Sequence, residues 1–177
     1  MENQNEPLMA YKATPSLENS RWYKGILSTQ LAGTAQTGGT FDFSVATMRG
    51  GTEPPPHIHA NEDEFFYILS GVMHAYADGQ CFEISAGEGM FLPRGKPHAF
   101  LIQSGTINMI TIITPGGFLD AANKMNEPAL AMTLPPDDGL TYSTMDLTAT
   151  IAIFDQIGVR LLSREEIVAG MPLYPIA

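Results

Sequence analysis

Histidine and carboxylate residues cluster in two short stretches of the chain, and their spacing suits metal binding. His57 and His59 stand two positions apart, so an extended strand would point both imidazoles to the same face. Glu64 opens the apolar run FFYIL, and His98 follows a turn that contains Pro93 and Gly95. Three imidazoles and one carboxylate make a mixed nitrogen and oxygen ligand set, which predicts a metal site.

This ligand set predicts one divalent transition metal ion without selecting the element. Imidazole and carboxylate suit Fe, Ni, Mn, Cu and Zn alike. Four protein ligands leave positions open on a five- or six-coordinate ion, and a substrate oxygen, water or dioxygen could take them. The pattern therefore indicates a site that can do chemistry.

Each histidine also has a plainer interpretation. His57 and His59 could do no more than form hydrogen bonds on a strand, and His98 could be a turn residue held by a backbone carbonyl. His74 has no acidic residue at a comparable spacing, which indicates a surface or interface position.

Three consecutive acidic residues, Glu62, Asp63 and Glu64, compete for the carboxylate position. Glu64 would share its strand face with Phe66 and Ile68, so it would point into the protein. We interpret Glu62 and Asp63 as solvated side chains at the mouth of the site.

The two stretches together resemble the two motifs of the cupin superfamily. The pattern G-x5-H-x-H-x4-E-x6-G runs from Gly51 to Gly71, and the pattern G-x5-P-x-G-x2-H runs from Gly87 to His98. The six-residue gap before Gly71 favours Glu64 as the acid of the first motif. Ile102 stands where the second motif usually ends in Asn, which implies a more apolar pocket wall.

The resemblance implies an all-β fold, an antiparallel jelly-roll barrel with a metal ion inside. The implied metal ligands are His57, His59, Glu64 and His98, and Glu64 would also act as the general base. Similarity to single-domain cupins of the quercetin-dioxygenase type implies an enzyme, a dioxygenase for an aromatic or enolic, flavonol-like small molecule. Two alternatives stay open: a non-catalytic cupin that binds a metal and a small ligand, and an oxygen-independent isomerase or lyase.

Short strand-like segments separated by glycine-containing turns must position these residues, and their rhythm is typical of a sandwich or barrel. The predicted strands are 21–32, 41–48, 64–69, 72–77, 80–84, 89–92, 98–103 and 106–113. Segment 33–39 is predicted to be a turn or loop. Residues 1–20 form an N-terminal arm, residues 21–115 the barrel, and residues 116–177 an extension with one or two short helices packed on the barrel.

The extension is predicted in more detail from its own pattern. Residues 116–125 form a short helix, and residues 147–157 form a second one with Asp146 as N-cap and Gly158 just after its end. A short strand follows, and the tail to Ala177 is a loop.

Strand alternation predicts an apolar pocket beside the metal site, which fits an aromatic ligand better than a sugar phosphate. Its wall would come from Phe41 or Phe43, Met48, Phe66, Ile68, Phe100 and Ile102, and the predicted substrate contacts are Phe43, Met48, Phe66, Phe100 and Ile102. These residues could also be ordinary barrel core. Arg94 and Lys96 could meet an anionic group or lie on the surface.

The composition of the chain limits the classes of partner that it can bind and the compartment in which it is expected. The chain has 177 residues, which suits one domain, and a net charge of −10 leaves no basic patch for nucleic acid or an anionic membrane. Cys81 is the single cysteine, so no disulfide forms within the chain. The polar N-terminus and the lack of a long apolar run predict a cytoplasmic location. A small barrel with an N-terminal arm predicts a homodimer. The predicted site in turn predicts that the partner it binds is a small-molecule substrate.

Overall fold

Two antiparallel sheets form most of the computed structural model, which describes residues 8–139, 142 and 144–176. The strands, in chain order, are β1 Ser20–Tyr23, β2 Ile26–Ala32, β3 Asp42–Arg49, β4 His57–His59, β5 Asp63–Ser70, β6 Val72–Ala77, β7 Gln80–Ser85, β8 Gly89–Leu92, β9 His98–Ile102, β10 Thr106–Thr114, β11 Glu127–Pro128 and β12 Val159–Leu161. The larger sheet has the order β11-β1-β2-β3-β10-β5-β8, and the smaller one has the order β12-β4-β9-β6-β7.

Four short helices accompany the sheets in the described part of the chain. They are α1 Thr34–Thr37, α2 Phe118–Ala122, α3 Thr148–Asp155 and α4 Arg164–Gly170. The low helix content and the paired antiparallel sheets confirm the predicted all-β jelly-roll fold.

A continuous apolar core lies between the two sheets. Side chains alternate between buried and more exposed positions along β3 and β5, as expected for strands with one face turned inward. Glu64, Phe66 and Ile68 are all buried on the inner face of β5, which is the face predicted for them. The largest fully buried apolar side chains of the core are Ile68, Met73 and Ile107.

The predicted strand 21–32 is wrong as a single element, because a tight turn divides it into β1 and β2. Lys24 and Gly25 have φ angles of 46° and 82°, which is the left-handed pair of a two-residue hairpin turn. A Cβ at Gly25 would also lie 2.4 Å from a side-chain atom of Thr52. The Lys-Gly pair was the sequence signal for this hairpin.

The tail also differs from its prediction, because residues 164–170 form α4 rather than a loop. Ser163 and Glu166 form a capping box: the Ser163 hydroxyl accepts the Glu166 N–H, and the Glu166 carboxylate accepts the Ser163 N–H. Arg160 adds an ion pair to Glu166 at 2.8 Å, which lowers the pKa of this carboxyl to about 2. The described residues beyond Pro115 therefore contain three helices rather than the predicted one or two.

The two other predicted helices are present but shorter, as α2 and α3. Asp146 lies one position before the N-cap of α3, and its carboxylate accepts the backbone N–H of Thr148 at 2.9 Å. Gly158 follows the helix with a φ of 79°, as its predicted position requires. Segment 33–39, predicted as a loop, contains the single turn α1.

The chain beyond Pro115 is tied to the barrel at two places. The buried carboxylate of Asp42 in β3 accepts the backbone N–H groups of Gly117 and Leu119 at 3.0 and 2.8 Å, which fixes the start of α2. Further along, β12 pairs antiparallel with β4, so the smaller sheet takes one of its strands from the extension. The division into arm, barrel and extension stays a prediction. None of the described helices is long and apolar enough to cross a membrane.

Candidate metal centre

Four buried side chains from three strands converge inside the barrel. His57 and His59 come from β4, Glu64 from β5 and His98 from β9, and one ligand atom of each lies within 4.8 Å of the others. Two ligands on opposite sides of one ion lie about 4.2 Å apart, since each bond is about 2.1 Å long. The structure therefore brings together all four residues predicted as metal ligands at a separation suited to one ion.

The sheet register explains this convergence. His57 and His59 point inward because they are two positions apart on β4, and both are buried while Ile58 between them is less so. His57 is the direct partner of His98 in the register of β4 and β9, which places their imidazoles 4.4 Å apart between ring centres. Glu64 reaches the same point from the other sheet, with its Oε2 atom 3.5 Å from His98 Nε2.

His57 and His98 each have a backbone acceptor on the Nδ1 side of the ring, which leaves Nε2 for a ligand. Nδ1 of His57 lies 2.8 Å from the carbonyl oxygen of Pro55, and Nδ1 of His98 lies 3.1 Å from that of Lys96. A carbonyl oxygen can only accept, so we assign the ring proton to Nδ1 in both residues. An Nδ1 proton held by an outer acceptor is the usual arrangement of a metal-ligating histidine.

The unpaired polar atoms of the site also fit a cation. His98 Nε2 is buried without a hydrogen-bond partner among the described residues, and such an atom costs about 1–3 kcal/mol when left unsatisfied. Burial is the main cause that holds the pKa of His57 well below its usual range, and the nearby His98 and His59 lower it further. His57 is therefore neutral at physiological pH, which is the form that ligates metals.

Glu62 corrects one of our predictions, because it is buried rather than solvated. Only 7 % of the residue is exposed, and its Oε2 atom lies 3.4 Å from Nδ1 of His59, without the alignment of a formed hydrogen bond. The Asn61 side chain donates to the carbonyl oxygen of Ile157 at 2.9 Å and so holds the turn that carries Glu62. His59 thus has a carboxylate where the other two histidines have backbone carbonyls, and the H-x-x-E spacing was the signal for it.

Asp63 and the nearby cations lie on the rim. Asp63 accepts two hydrogen bonds from the Arg94 guanidinium, the shorter at 2.7 Å, and this partner lowers the pKa of Asp63 to about 2. Lys96 pairs with Asp78 at 3.0 Å, and both cations are half exposed. Asp63 is thus partly buried in an ion pair rather than freely solvated, and Arg94 and Lys96 occupy the predicted surface positions.

We expect Glu62→Ala to lower metal affinity by about 10- to 100-fold, the usual cost of losing the outer partner of a ligating histidine. Glu62→Gln should cost less, because its amide keeps an acceptor oxygen within reach of Nδ1 of His59. Glu83→Gln is the matched control, since Glu83 lies 3.4 Å from the half-exposed His74 in an equivalent surface pair. Competition against a chromophoric chelator measures the affinity, and equal affinities in all variants would contradict the role of Glu62.

An apolar cavity of about 160 Å³ adjoins the four side chains. Three of the predicted substrate contacts, Met48, Phe66 and Phe100, line it. Phe43 does not, because it lies on the opposite face of β3 from Met48, and Ile102 packs into the core away from the cavity. Ile68 is likewise core, and Phe41 is partly exposed at the surface. The predicted roles of the three lining residues in substrate binding stay predictions.

The outer part of this cavity is covered by residues that the pocket prediction missed. The ring centre of Phe118 lies 5.2 Å from that of His59. The Phe118 ring also stacks on the ring of Phe154 in α3, with 5.9 Å between ring centres. The remaining lining residues from outside the barrel strands include Leu119, Ala122, Met125, Tyr142 and Thr150. The apolar stripe of the predicted helix 116–125 was the available signal, since Phe118, Leu119, Ala122 and Met125 share one side of it.

Comparison with protein families and curated proteins gives a partial match. Residues 44–113 match the family model described as "Cupin domain". The chain is 28% identical over 72 residues to quercetin 2,3-dioxygenase of Bacillus subtilis, covering 41% of this chain and 21% of that protein. It is 36% identical over 70 residues to quercetin 2,3-dioxygenase of Aspergillus japonicus, covering 37% and 20%. It is 32% identical over 85 residues to "Polyketide synthase CurC" of Streptomyces cyaneus, covering 48% of this chain and 54% of that protein. The chain thus spans between a fifth and about half of these relatives.

Solved structures share the fold. An RmlC-like cupin from Shewanella frigidimarina superposes with a TM-score of 0.52 at 16% identity, over 62% of this chain and 96% of that one. A nucleoside dehydratase from Streptomyces superposes with a TM-score of 0.50 at 16% identity, over 72% of this chain and 100% of that one. At these identities the likeness concerns the fold alone.

Proposed function

The chain is a member of the cupin superfamily, and from that premise we propose that it is a metal-dependent dioxygenase acting on an aromatic or enolic small molecule. The observation that carries the proposal is the buried cluster of three histidines and Glu64 opening onto an apolar, aromatic-lined cavity. The similarity to quercetin 2,3-dioxygenases, which spans about a fifth of those proteins, supports this reaction class.

The residues of the site have separate roles in metal binding, proton transfer and substrate binding. A divalent transition metal, when bound by the three histidines and Glu64, supplies Lewis acidity and open positions for a substrate oxygen and dioxygen. Glu64 lines the cavity, so its carboxylate can take the proton of a substrate hydroxyl as general base. Phe66 and Phe100, whose rings meet edge to face 5.4 Å apart, provide an apolar wall for the substrate and exclude water from it.

Oxygen consumption tests this function directly. The protein is prepared with Fe, Ni, Mn or Cu, and oxygen uptake is followed with an electrode after flavonols or simple phenols are added. We expect uptake that depends on both metal and substrate, with incorporation of both atoms of labelled dioxygen into product. Absence of uptake with every pairing of metal and substrate would refute the proposal.

An oxygen-independent isomerase or lyase is the second candidate. The cavity wall also holds the hydroxyls of Ser44 and Thr111, which are partners in the register of β3 and β10 and could bind substrate hydroxyls. Product formation under strict anaerobiosis would favour this candidate over the dioxygenase. A ligand that is recovered unchanged in both assays would instead indicate a non-catalytic binding protein.

Homodimer formation stays a prediction. Arm residues 8–16 contain no strand or helix, and Leu8, Met9 and Tyr11 within them are exposed. We expect light scattering to give twice the mass of one chain, and the mass of a single chain would contradict the prediction.

A further inference from the structure

We infer that the substrate of this site is an uncharged molecule with a single ring, or an enol of similar size, and that a three-ring flavonol is too large for it. The inference rests on the proposed function, since it assumes that the substrate binds in the cavity beside the four clustered side chains. Three features of the cavity carry it: its volume, the charge of its wall and the contacts that border its outer part.

The volume of the cavity limits the number of rings. Its volume of about 160 Å³ is close to that of an engineered protein cavity of about 150 Å³ that holds one benzene molecule. A flavonol has three six-membered rings, of which two are fused, and so needs roughly three times this space. A single ring with its hydroxyl directed at Glu64 fills the cavity.

The charge of the wall excludes a second ionised group on the substrate. The described residues that line the cavity include no lysine or arginine, and Glu64 is the only Asp or Glu among them. The two cations of the rim are engaged outside it, Arg94 with Asp63 and Lys96 with Asp78. A carboxylate or phosphate that the substrate held away from an ion in the four-residue cluster would lose its hydration without gaining a counter-charge, which is costly in an apolar cavity.

Contacts between α3 and its neighbours border the outer part of the cavity and restrict the directions in which a larger molecule could extend. The Tyr23 hydroxyl lies 3.2 Å from the Thr150 hydroxyl of α3, and the Tyr23 ring meets that of Tyr142 edge to face. On the other side, Phe154 of α3 stacks on Phe118 of α2. Additional rings that extended toward α3 would have to displace this helix and break these contacts together.

Ligand binding measured without oxygen tests the inference separately from turnover. Protein loaded with its co-purified metal is titrated anaerobically by calorimetry with three probes: catechol, 3,4-dihydroxybenzoate and quercetin. We expect catechol to bind at least 10-fold more tightly than either of the other two. The benzoate carries the extra charge on one ring, and quercetin carries the extra rings without that charge, so the two arms separate charge from size.

Enlarging the cavity provides the second arm. Phe154→Ala removes a ring from the wall, and we expect quercetin affinity to rise at least 10-fold while catechol affinity does not rise. Val168→Ala is the matched control, because Val168 is exposed on α4 and does not line the cavity. If Phe154→Ala fails to give a cooperative thermal transition, Phe154→Leu is used in its place.

Every outcome bears on the inference. Quercetin or the benzoate binding to the unaltered protein as tightly as catechol would overturn it, and so would binding of none of the three probes. A lack of oxygen uptake together with selective catechol binding would refute the dioxygenase activity but keep the substrate class. The failure of one proposal is thus distinguishable from the failure of the other.

Discussion

His98→Ala is expected to lower the affinity for a divalent transition metal by more than about 100-fold, beyond the range seen when only an outer partner of a ligand is lost. His98 is the member of the cluster whose Nε2 atom is buried without a hydrogen-bond partner among the described residues, and its ring is held by the Lys96 carbonyl. Removing the imidazole leaves two histidines and one carboxylate, which cannot complete the proposed ligand set.

His74→Ala is the matched control for this substitution. His74 lies on the smaller sheet as well, but its side chain is 32% exposed and pairs with Glu83 at the surface. Metal content is measured after dialysis of both variants against a chelator, and circular dichroism verifies that both retain the β-fold. Equal metal retention by the two variants would show that the four-residue cluster does not hold the ion.

Glu64→Gln is expected to reduce oxygen uptake by about 10²- to 10⁴-fold, the usual contribution of a general base. Glutamine preserves the size and the ligating oxygen of the side chain but cannot take a proton. Metal content is determined in the same samples, so that loss of the base is separated from loss of the ion.

Asp63→Asn is the competing variant, since Asp63 precedes Glu64 and was a possible alternative carboxylate in the sequence. Strand alternation places it on the outer face of β5, where it pairs with Arg94. We expect its oxygen uptake to stay within about threefold of the unaltered protein, because an exposed ion pair contributes little. Full activity of Glu64→Gln would contradict the base assignment and leave the metal ligation to be tested by itself.

The strands were predictable where glycine turns mark both ends of a segment. The predicted strands 72–77 and 89–92 match β6 and β8 residue for residue, and Gly71, Gly79 and Gly87 beside them all have positive φ. Glycine adopts this conformation without the steric cost that other residues face, so its position fixes where a strand must stop.

The face of β3 was not predictable from hydrophobicity. The alternation of Phe41, Phe43 and Val45 with polar neighbours indicates that the phenylalanines point inward, but the structure buries Asp42 and Ser44 instead. Asp42 is needed inside to accept the N–H groups at the start of α2, and Ser44 lines the cavity. The rule that apolar residues face the interior fails here because the interior of this barrel contains the candidate site.

The residues that cover the cavity could not be predicted from local sequence patterns, for a different reason. The stripe of the predicted helix 116–125 indicates that Phe118 is buried, but not against which partner. Its contacts with His59 and Phe154 join segments far apart in the chain, and only the folded topology brings them together. Glu62 was missed in the same way, because burial of an acid depends on the partner that it meets.

The pairing of β12 with β4 has a consequence for the order in which the strands of the smaller sheet can assemble. Strand β4 is three residues long and is matched to β9 in the described register only at His57 and His98, whereas β12 pairs with all three of its residues. The strand that carries two of the histidines is therefore completed by residues 159–161, about 100 residues further along the chain. During synthesis, this edge of the smaller sheet can form only after those residues have left the ribosome, so His57 and His59 are made well before their strand gains its second neighbour.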